Sequence, residues 1–218
     1  MTWRRRFGRA VVSQFHEPRG LAGWLVGWEM ALRPSNRHRN QWGVSLLDVE
    51  PTDRVLEVGF GPGIAIREVA RRATKGRVVG VDHSDEMVRQ ASRRNREAVH
   101  GGRVELHQIE ADALRGLGSN FDKVLAVNSL GFWSQPVHIL VDIRSMMSEG
   151  GVIAIVSQPR CPGATSEHTE GAEQEIRQQL QQAGFTDLRS ERLELDPPVV
   201  CVLATSHTLR SMVQTIVR

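Results

Sequence analysis

From Arg54 onward, the sequence alternates short runs of β-branched residues with longer amphipathic stretches. The continuous apolar character of the short runs predicts strands that are buried on both faces, and the stretches between them have helical spacing. This alternation is typical of a parallel sheet that is covered by helices on both sides. Only Asp196-Pro197-Pro198 separates the last two predicted strands, so we expect them to pair antiparallel. The sequence therefore predicts a doubly wound α/β sheet of seven strands, mostly parallel, with one antiparallel edge strand.

The individual elements follow from the same pattern. Strands are predicted at residues 54–59, 77–82, 104–109, 121–127, 151–157, 188–195 and 199–205. Helices are predicted at residues 64–73, 85–99, 137–147 and 170–183. Ser84 is expected to cap the second of these helices, and Gly184 is expected to end the last.

The first fifty residues have a different pattern. One predicted helix carries an apolar stripe of Trp3, Phe7, Val11 and Phe15, and a second carries Leu21, Leu25, Trp28 and Leu32. A third helix is expected at about residues 36–48. Amphipathic helices ahead of a sheet must cover an apolar surface. The sequence therefore predicts an N-terminal helical cap or lid over residues 1–50 and an α/β domain over residues 51–218.

Composition narrows the class of protein. A hydrophobic content of 40% and a charged content of 24% are ordinary for a soluble globular chain. The most apolar stretch, residues 21–32, is too short to cross a bilayer and contains Glu29, so no membrane span is expected. Cys161 and Cys201 lack the spacing of a metal or redox site. We expect a cytoplasmic protein without a metal site.

Arginine supplies most of the positive charge. Lys75 and Lys123 are the only lysines, and arginines cluster near the N-terminus and between residues 89 and 103. These clusters fit either a surface that binds nucleic acid or solvent-exposed helix faces on which carboxylates balance the positive charge. Because the formal net charge is only +3, the second interpretation is favoured and a nucleic-acid partner is not expected.

A glycine-rich turn follows the first predicted strand. Gly59, Gly61 and Gly63 alternate there, which lets the chain turn sharply and lets a ligand approach the backbone. Doubly wound sheets bind ligands beyond the carboxyl ends of their strands, where the winding direction switches. Ile64 stands where the dinucleotide fingerprint requires glycine, which argues against NAD and FAD. Asp82, at the end of the second strand, fits either an acceptor for ribose hydroxyls or a cap for the next helix.

Five segments in this order resemble the motif set of class I S-adenosylmethionine-dependent methyltransferases. They are Val-Leu-Glu-Val-Gly-Phe-Gly-Pro-Gly at 55–63, Val-Gly-Val-Asp at 79–82, Glu-Ala-Asp-Ala at 110–113, Phe-Asp-Lys-Val-Leu-Ala-Val-Asn at 121–128 and Glu-Gly-Gly-Val at 149–152. The resemblance extends over residues 52–205. It implies a Rossmann-like fold, the cofactor S-adenosyl-L-methionine and the product S-adenosyl-L-homocysteine. Because the signatures of amino-methylating nucleic-acid enzymes and cytosine-C5 enzymes are missing, the chain looks like the small-molecule branch that includes quinone and natural-product enzymes.

The resemblance also implies a role for individual residues. Glu57 would hold the methionine amino group, the turn of Gly59, Phe60, Gly61 and Gly63 would line methionine and ribose, and Asp82 would accept the ribose hydroxyls. His83 and Met87 would wall the adenine, Asp112 and Ala113 would bond its edge, and Asn128 would face the sulfonium and the acceptor. The expected acceptor pocket comprises Trp24, Trp28, Trp42, Ser129 and Trp133.

Methyl transfer of this kind is an in-line displacement that needs no covalent enzyme intermediate. Most of the acceleration comes from alignment in a dry pocket, and a general base is needed only for a weakly acidic acceptor. His16, His38 and His138 are the candidate bases, and the catalytic group, the acceptor, the methylated atom and the oligomeric state stay open. Two alternatives also stay open. One is an RNA methyltransferase that uses the arginine-rich N-terminal helix, and the other is a catalytically silent protein that binds the cofactor.

Overall fold

The computed structural model describes residues 34–207, and within them seven strands form one sheet in the order β3-β2-β1-β4-β5-β7-β6. The strands are β1 (Arg54–Val58), β2 (Arg77–Asp82), β3 (Val104–Gln108), β4 (Phe121–Val127), β5 (Met147–Ser157), β6 (Thr186–Leu193) and β7 (Val199–Thr205). Strands β1 to β5 pair parallel, with β1 between β2 and β4. The predicted doubly wound sheet is confirmed, and its winding direction switches between β1 and β4.

The antiparallel part of the sheet lies beyond β5. Strand β7 pairs antiparallel with β5 on one side and with β6 on the other. The reversed strand therefore lies one position inside the edge, and β6 forms the edge itself. This order arises because the helix after β5 carries the chain past one strand position, and β7 then returns into that gap.

Six α-helices surround this sheet in the described residues. They are α1 (Pro34–Leu47), α2 (Ile64–Arg72), α3 (Asp85–Arg94), α4 (Arg96–His100), α5 (Pro136–Met146) and α6 (Ser166–Gln182), with a short 3-10 helix at Leu130–Phe132. The single helix predicted over residues 85–99 is divided at Asn95, whose side chain donates to the backbone of Ala91 and Gly63. Helix α6 begins at Ser166, earlier than predicted, because Thr165 and His168 form a capping box.

Two apolar cores hold the helices against the sheet. Helices α1, α2 and α3 pack on one face, and α5 and α6 pack on the other. Helix α1 lies directly on the strands, since a Cβ added at Gly43 would lie only 2.8 Å from Cγ2 of Val156 in β5. Val44 and Leu47 of the same helix are also buried. The last predicted helix of the cap is thus part of the layer over the sheet, while the residues of the other two predicted helices lie outside the described part of the chain. The boundary predicted at residue 50 stays a prediction.

Candidate functional site

The glycine-rich turn lies at the switch point of the sheet, directly after β1. The backbone N–H groups of Gly59 and Phe60 donate to the carbonyl oxygen of Val81 at 2.8 and 3.3 Å, which ties the turn to β2. The carboxyl ends of β1, β2 and β4 therefore meet at this edge of the sheet. This is the place where doubly wound sheets bind their ligands.

The three glycines of the turn have different roles. All three have positive φ, at 78° for Gly59, 52° for Gly61 and 75° for Gly63. A Cβ at Gly59 would lie 2.4 Å from Cβ of Ser129, and one at Gly63 would lie 2.6 Å from Cβ of Ala91. No atom of residues 34–207 lies within 4 Å of that position at Gly61, its chain neighbours aside. Two glycines therefore allow close packing of the chain itself, and the backbone of Gly61 is open on this side.

Asp82 joins the turn to the start of α3. Its buried carboxylate accepts from the backbone N–H of Gly61 at 2.8 Å and from that of Ser84 at 2.9 Å. The Ser84 hydroxyl, in turn, caps α3 by accepting from the Met87 N–H. Burial raises the pKa of Asp82, and the two backbone hydrogen bonds oppose that rise. Because a carboxylate offers about four lone-pair sites, these two bonds leave capacity for hydroxyl groups of a ligand.

Glu57 lies beneath the turn and is only 1% exposed. Its Oε2 atom is buried and has no hydrogen-bond partner within residues 34–207. Burial raises the pKa of Glu57 well above its ordinary value, the nearby Asp82 carboxylate raises it further, and a hydrogen bond from the Ile66 backbone opposes the rise. A ligand ammonium group would provide both the missing donor and the missing positive charge.

The segment after β4 ties three strands together. Asn128, at a φ of 53°, accepts at Oδ1 from the Gln158 backbone N–H at 2.8 Å and donates from Nδ2 to the Gln158 carbonyl at 3.4 Å. The Ser129 hydroxyl donates to the carbonyl oxygen of Val58 at 2.6 Å. Both residues thus connect the end of β4 to its neighbours β1 and β5. Their predicted roles toward the acceptor stay predictions.

The other predicted site residues lie at varied depths. Phe60 and Met87 are buried in the core on the α1 side, Trp133 is buried in the opposite core, and Trp42 is half-buried on α1. The ring of His83 lies 3.7 Å from Asp82, and Asp112 and Ala113 are exposed after β3. His38 is exposed, and His138 is exposed 3.9 Å from Asp142. His16, Trp24 and Trp28 lie outside the described residues.

The sequence reasoning missed a buried polar cluster at the carboxyl end of β5. Arg39 of α1 is 1% exposed, and its Nη1 atom donates to Oε1 of Gln158 at 2.5 Å. Its Nη2 atom donates to Oδ1 of Asn36. Arg39 lies on the buried face of α1, together with Gly43 and Leu47. An arginine within an otherwise inward-facing helical stripe is the sequence signal that could have identified it.

Comparisons with known proteins identify the family. The family model of a methyltransferase domain matches residues 55–151. The chain is 31% identical over 185 residues to the uncharacterized methyltransferase YdaC of Bacillus subtilis, and the match covers 84% of this chain and 97% of YdaC. The chain belongs to the class I S-adenosylmethionine-dependent methyltransferases. The predicted family, enzyme class and cofactor are confirmed.

Two further comparisons agree with this assignment. A SAM-dependent methyltransferase from Aquifex aeolicus has the same fold, with a TM-score of 0.67 at 20% identity over 82% of this chain and 96% of that chain. A ubiquinone biosynthesis O-methyltransferase of Parvibaculum lavamentivorans is 28% identical over 134 residues, which cover 61% of this chain and 51% of that enzyme. The open backbone at Gly61, the unpartnered Oε2 of Glu57 and the free lone pairs of Asp82 fit the cofactor.

Two features are absent from residues 34–207. None of their helices is both long enough and apolar enough to cross a membrane. These residues also contain no group of three or more His, Cys, Asp or Glu side chains that could hold a metal ion.

Proposed function

We propose that this methyltransferase transfers the methyl group of S-adenosylmethionine to a small-molecule acceptor by in-line displacement. The observation that carries this proposal is the burial of the polar groups beside the cofactor turn. Ser129 and Gln158 are each 8% exposed, and both lie at the carboxyl ends of the central strands. A buried site favours a small-molecule acceptor, because such a molecule can enter the site and exclude water from it. The relative named for ubiquinone biosynthesis supports the same class of acceptor.

The proposed mechanism assigns binding and alignment to the residues of this edge. When bound, S-adenosylmethionine supplies an electrophilic methyl group and a neutral thioether leaving group. Glu57 holds the ammonium group, and Asp82 accepts the ribose hydroxyls while it fixes the backbone of Gly61. Asn128 and Ser129, held against β5 and β1, form the boundary between donor and acceptor. Alignment of the acceptor in a dry pocket provides most of the acceleration.

The remaining predicted contacts are part of the same proposal. His83 and Met87 wall the adenine, and Asp112 with Ala113 bonds its edge. Residues ahead of α1 close over the site as a lid and bring Trp24 and Trp28 toward the acceptor, next to Trp42 and Trp133. The catalytic base, if the acceptor needs one, comes from His16, His38 or His138. We further propose that the enzyme works in the cytoplasm.

One observation favours RNA as a second class of acceptor. A groove of about 700 Å³ between α2 and the segment from α3 to α4 is lined by six arginines, namely Arg67, Arg71, Arg93, Arg94, Arg96 and Arg103. Arg94 also donates to the carbonyl oxygen of Pro62, so the groove adjoins the glycine turn. Phosphate contacts in such a groove would make RNA binding fall steeply with salt.

A two-stage experiment tests the proposal. Thermal unfolding is first measured with S-adenosylmethionine, S-adenosylhomocysteine and NAD. We expect the first two ligands to stabilise the fold by about 2.7 kcal/mol at a hundredfold excess over the dissociation constant, and NAD to have no effect. Transfer of labelled methyl groups is then measured on pooled metabolites and on total RNA. Labelled small molecules support the proposal, labelled RNA would favour the alternative, and cofactor binding without any transfer would favour a catalytically silent protein.

A further inference from the structure

Arg39 of α1 is a buried cation whose contacts are with neutral groups. Its guanidinium donates to two side-chain amides, those of Asn36 and Gln158, and its Nε atom is buried with no hydrogen-bond partner among the described residues. Within residues 34–207, no carboxylate forms an ion pair with it. Neutral amides satisfy part of its hydrogen-bonding capacity but none of its charge. Removing a charge from water without a counter-charge is costly, so such a group is a candidate for binding an anion.

The surroundings add positive charge rather than cancel it. Burial and the nearby guanidinium of Arg160 together lower the pKa of Arg39 to about 9. Arg39 therefore stays protonated at neutral pH, although its environment disfavours the charge. Its planar guanidinium is suited to bind two oxygens of a carboxylate or phosphate. Such a group would supply a negative counter-charge and would accept hydrogen bonds from the guanidinium N–H groups.

A continuous set of contacts connects Arg39 to the cofactor turn. The Gln158 side chain accepts from Arg39 and donates to the carbonyl oxygen of Pro197 at 2.8 Å. The Gln158 backbone is bonded to Asn128, whose neighbour Ser129 packs against Gly59. Arg39 thus lies over the β4–β5 side of the site, whereas Glu57 and Asp82 lie on the β1–β2 side. Because of this separation, an anion bound by Arg39 would lie on the side of the site where the methyl acceptor binds.

We propose that Arg39, oriented by Asn36 and Gln158, binds a carboxylate or phosphate group that the methyl acceptor carries. This inference rests on the proposed function and narrows its substrate class to anionic small molecules. The methionine carboxylate of the cofactor has the same chemistry, so the experiment must distinguish the two sources. An arginine that served only to hold α1 on the sheet would not respond to either anion.

The experiment compares Arg39→Gln with Arg37→Gln, which removes the same charge from an exposed position on the same helix. Each protein is saturated with S-adenosylhomocysteine, and thermal unfolding is measured against millimolar benzoate and inorganic phosphate. We expect at least one anion to stabilise the wild-type protein and Arg37→Gln. We expect Arg39→Gln to bind that anion at least tenfold more weakly, as the loss of a charged hydrogen bond requires. If the Gln variant does not fold, Arg39→Lys, which keeps the charge but not the planar guanidinium, is measured instead.

A second arm identifies the source of the anion. Binding of S-adenosylmethionine and of decarboxylated S-adenosylmethionine is measured by calorimetry for the wild-type protein and for Arg39→Gln. We expect the ratio of the two affinities to be unchanged by the substitution. A loss confined to the carboxylated donor would overturn the proposal, because Arg39 would then hold the cofactor. It would also be overturned by a wild-type protein that neither anion stabilises, or by equal losses in Arg37→Gln and Arg39→Gln. Failure of the proposed function is distinguishable, since it would appear as a lack of cofactor binding or of methyl transfer.

Discussion

Replacement of Glu57 by glutamine should change the stability of the fold and the affinity for the cofactor in opposite directions. The amide oxygen can keep the hydrogen bond from the Ile66 backbone, while the negative charge is lost. In the free protein this charge is buried, has one unpartnered oxygen and is repelled by Asp82. We therefore expect Glu57→Gln to unfold at a higher temperature than the wild-type protein in the absence of ligand.

The expected size of this effect follows from the buried charge alone, because the glutamine Nε2 is as unpartnered as the Oε2 atom that it replaces. Each unit by which burial raises the pKa of the carboxyl corresponds to about 1.4 kcal/mol, and for a chain of this length that is a rise of roughly 3–6 °C in Tm. The cofactor affinity should change in the opposite direction. Loss of a charged hydrogen bond to the ammonium group costs about 1.5–3 kcal/mol, or roughly ten- to a hundredfold in Kd.

The pH dependence gives an independent check. Because the pKa of Glu57 is raised in the folded state, the folded protein retains its proton over a range in which the unfolded chain has lost it. The carboxyl thus favours folding below its ordinary pKa, and this contribution disappears as the pH rises through the folded-state pKa. The Tm advantage of the variant should therefore be small near pH 4 and should widen toward neutral pH.

Calorimetric titration with S-adenosylmethionine and thermal unfolding between pH 4 and 8 measure both effects. Glu50→Gln is the matched control, since Glu50 is an exposed carboxylate in the turn before β1. It should change neither the Tm nor the Kd appreciably. A Glu57→Gln protein that is less stable than wild type at pH 7, or that binds the cofactor normally, would refute the reasoning.

Three further predictions concern the glycine turn, Asp82 and the N-terminal residues. Gly61→Ala and Gly102→Ala both place a side chain at positive φ in open space, so each should lower the free energy of unfolding by about 1 kcal/mol. Only Gly61→Ala should also weaken cofactor binding, as measured by calorimetry. Equal affinities in the two variants would contradict the role of Gly61. Asp82→Ala should weaken cofactor binding by about 1.5–3 kcal/mol, measured by the same titration, and unchanged affinity in a folded variant would leave Asp82 only its contacts with the turn and α3. Deletion of residues 1–15 should reduce turnover in a methyl-transfer assay while cofactor binding remains, and normal turnover would contradict the lid.

The sequence predicted those parts of the fold that depend on periodicity. Each predicted strand is present, and parallel strands such as β2 and β5 carry the continuous apolar runs that burial on both faces requires. The break at Asn95 and the early start of α6 at Ser166 escaped prediction. Both depend on a few side-chain hydrogen bonds, those of Asn95 to Gly63 and of the Thr165 capping box, which leave no periodic pattern.

The site was predictable only in part for a related reason. Spacing and resemblance place the glycine turn and Asp82 at the switch point, but they do not distinguish three glycines that look alike in sequence. Gly59 and Gly63 are required by Ser129 and Ala91, which are distant in the chain, and only Gly61 is open. The helical pattern could mark Arg39 as facing inward, but its contact with Gln158 spans 119 positions, so no local pattern could identify that partner.

The charges at this edge follow one arrangement. On the β1–β2 side, Glu57 and Asp82 are two buried carboxylates, and on the β4–β5 side, Arg39 is a buried cation that forms no ion pair with any carboxylate of residues 34–207. A fold selected for stability alone would pair such groups with each other or replace them by apolar side chains. Their separation across Asn128 and Ser129 instead leaves Glu57 and Arg39 for charged groups of the ligands, and leaves Asp82 for ligand hydroxyls. A cationic donor and an anionic acceptor would therefore bind on opposite sides of that boundary, with the methyl group transferred between them.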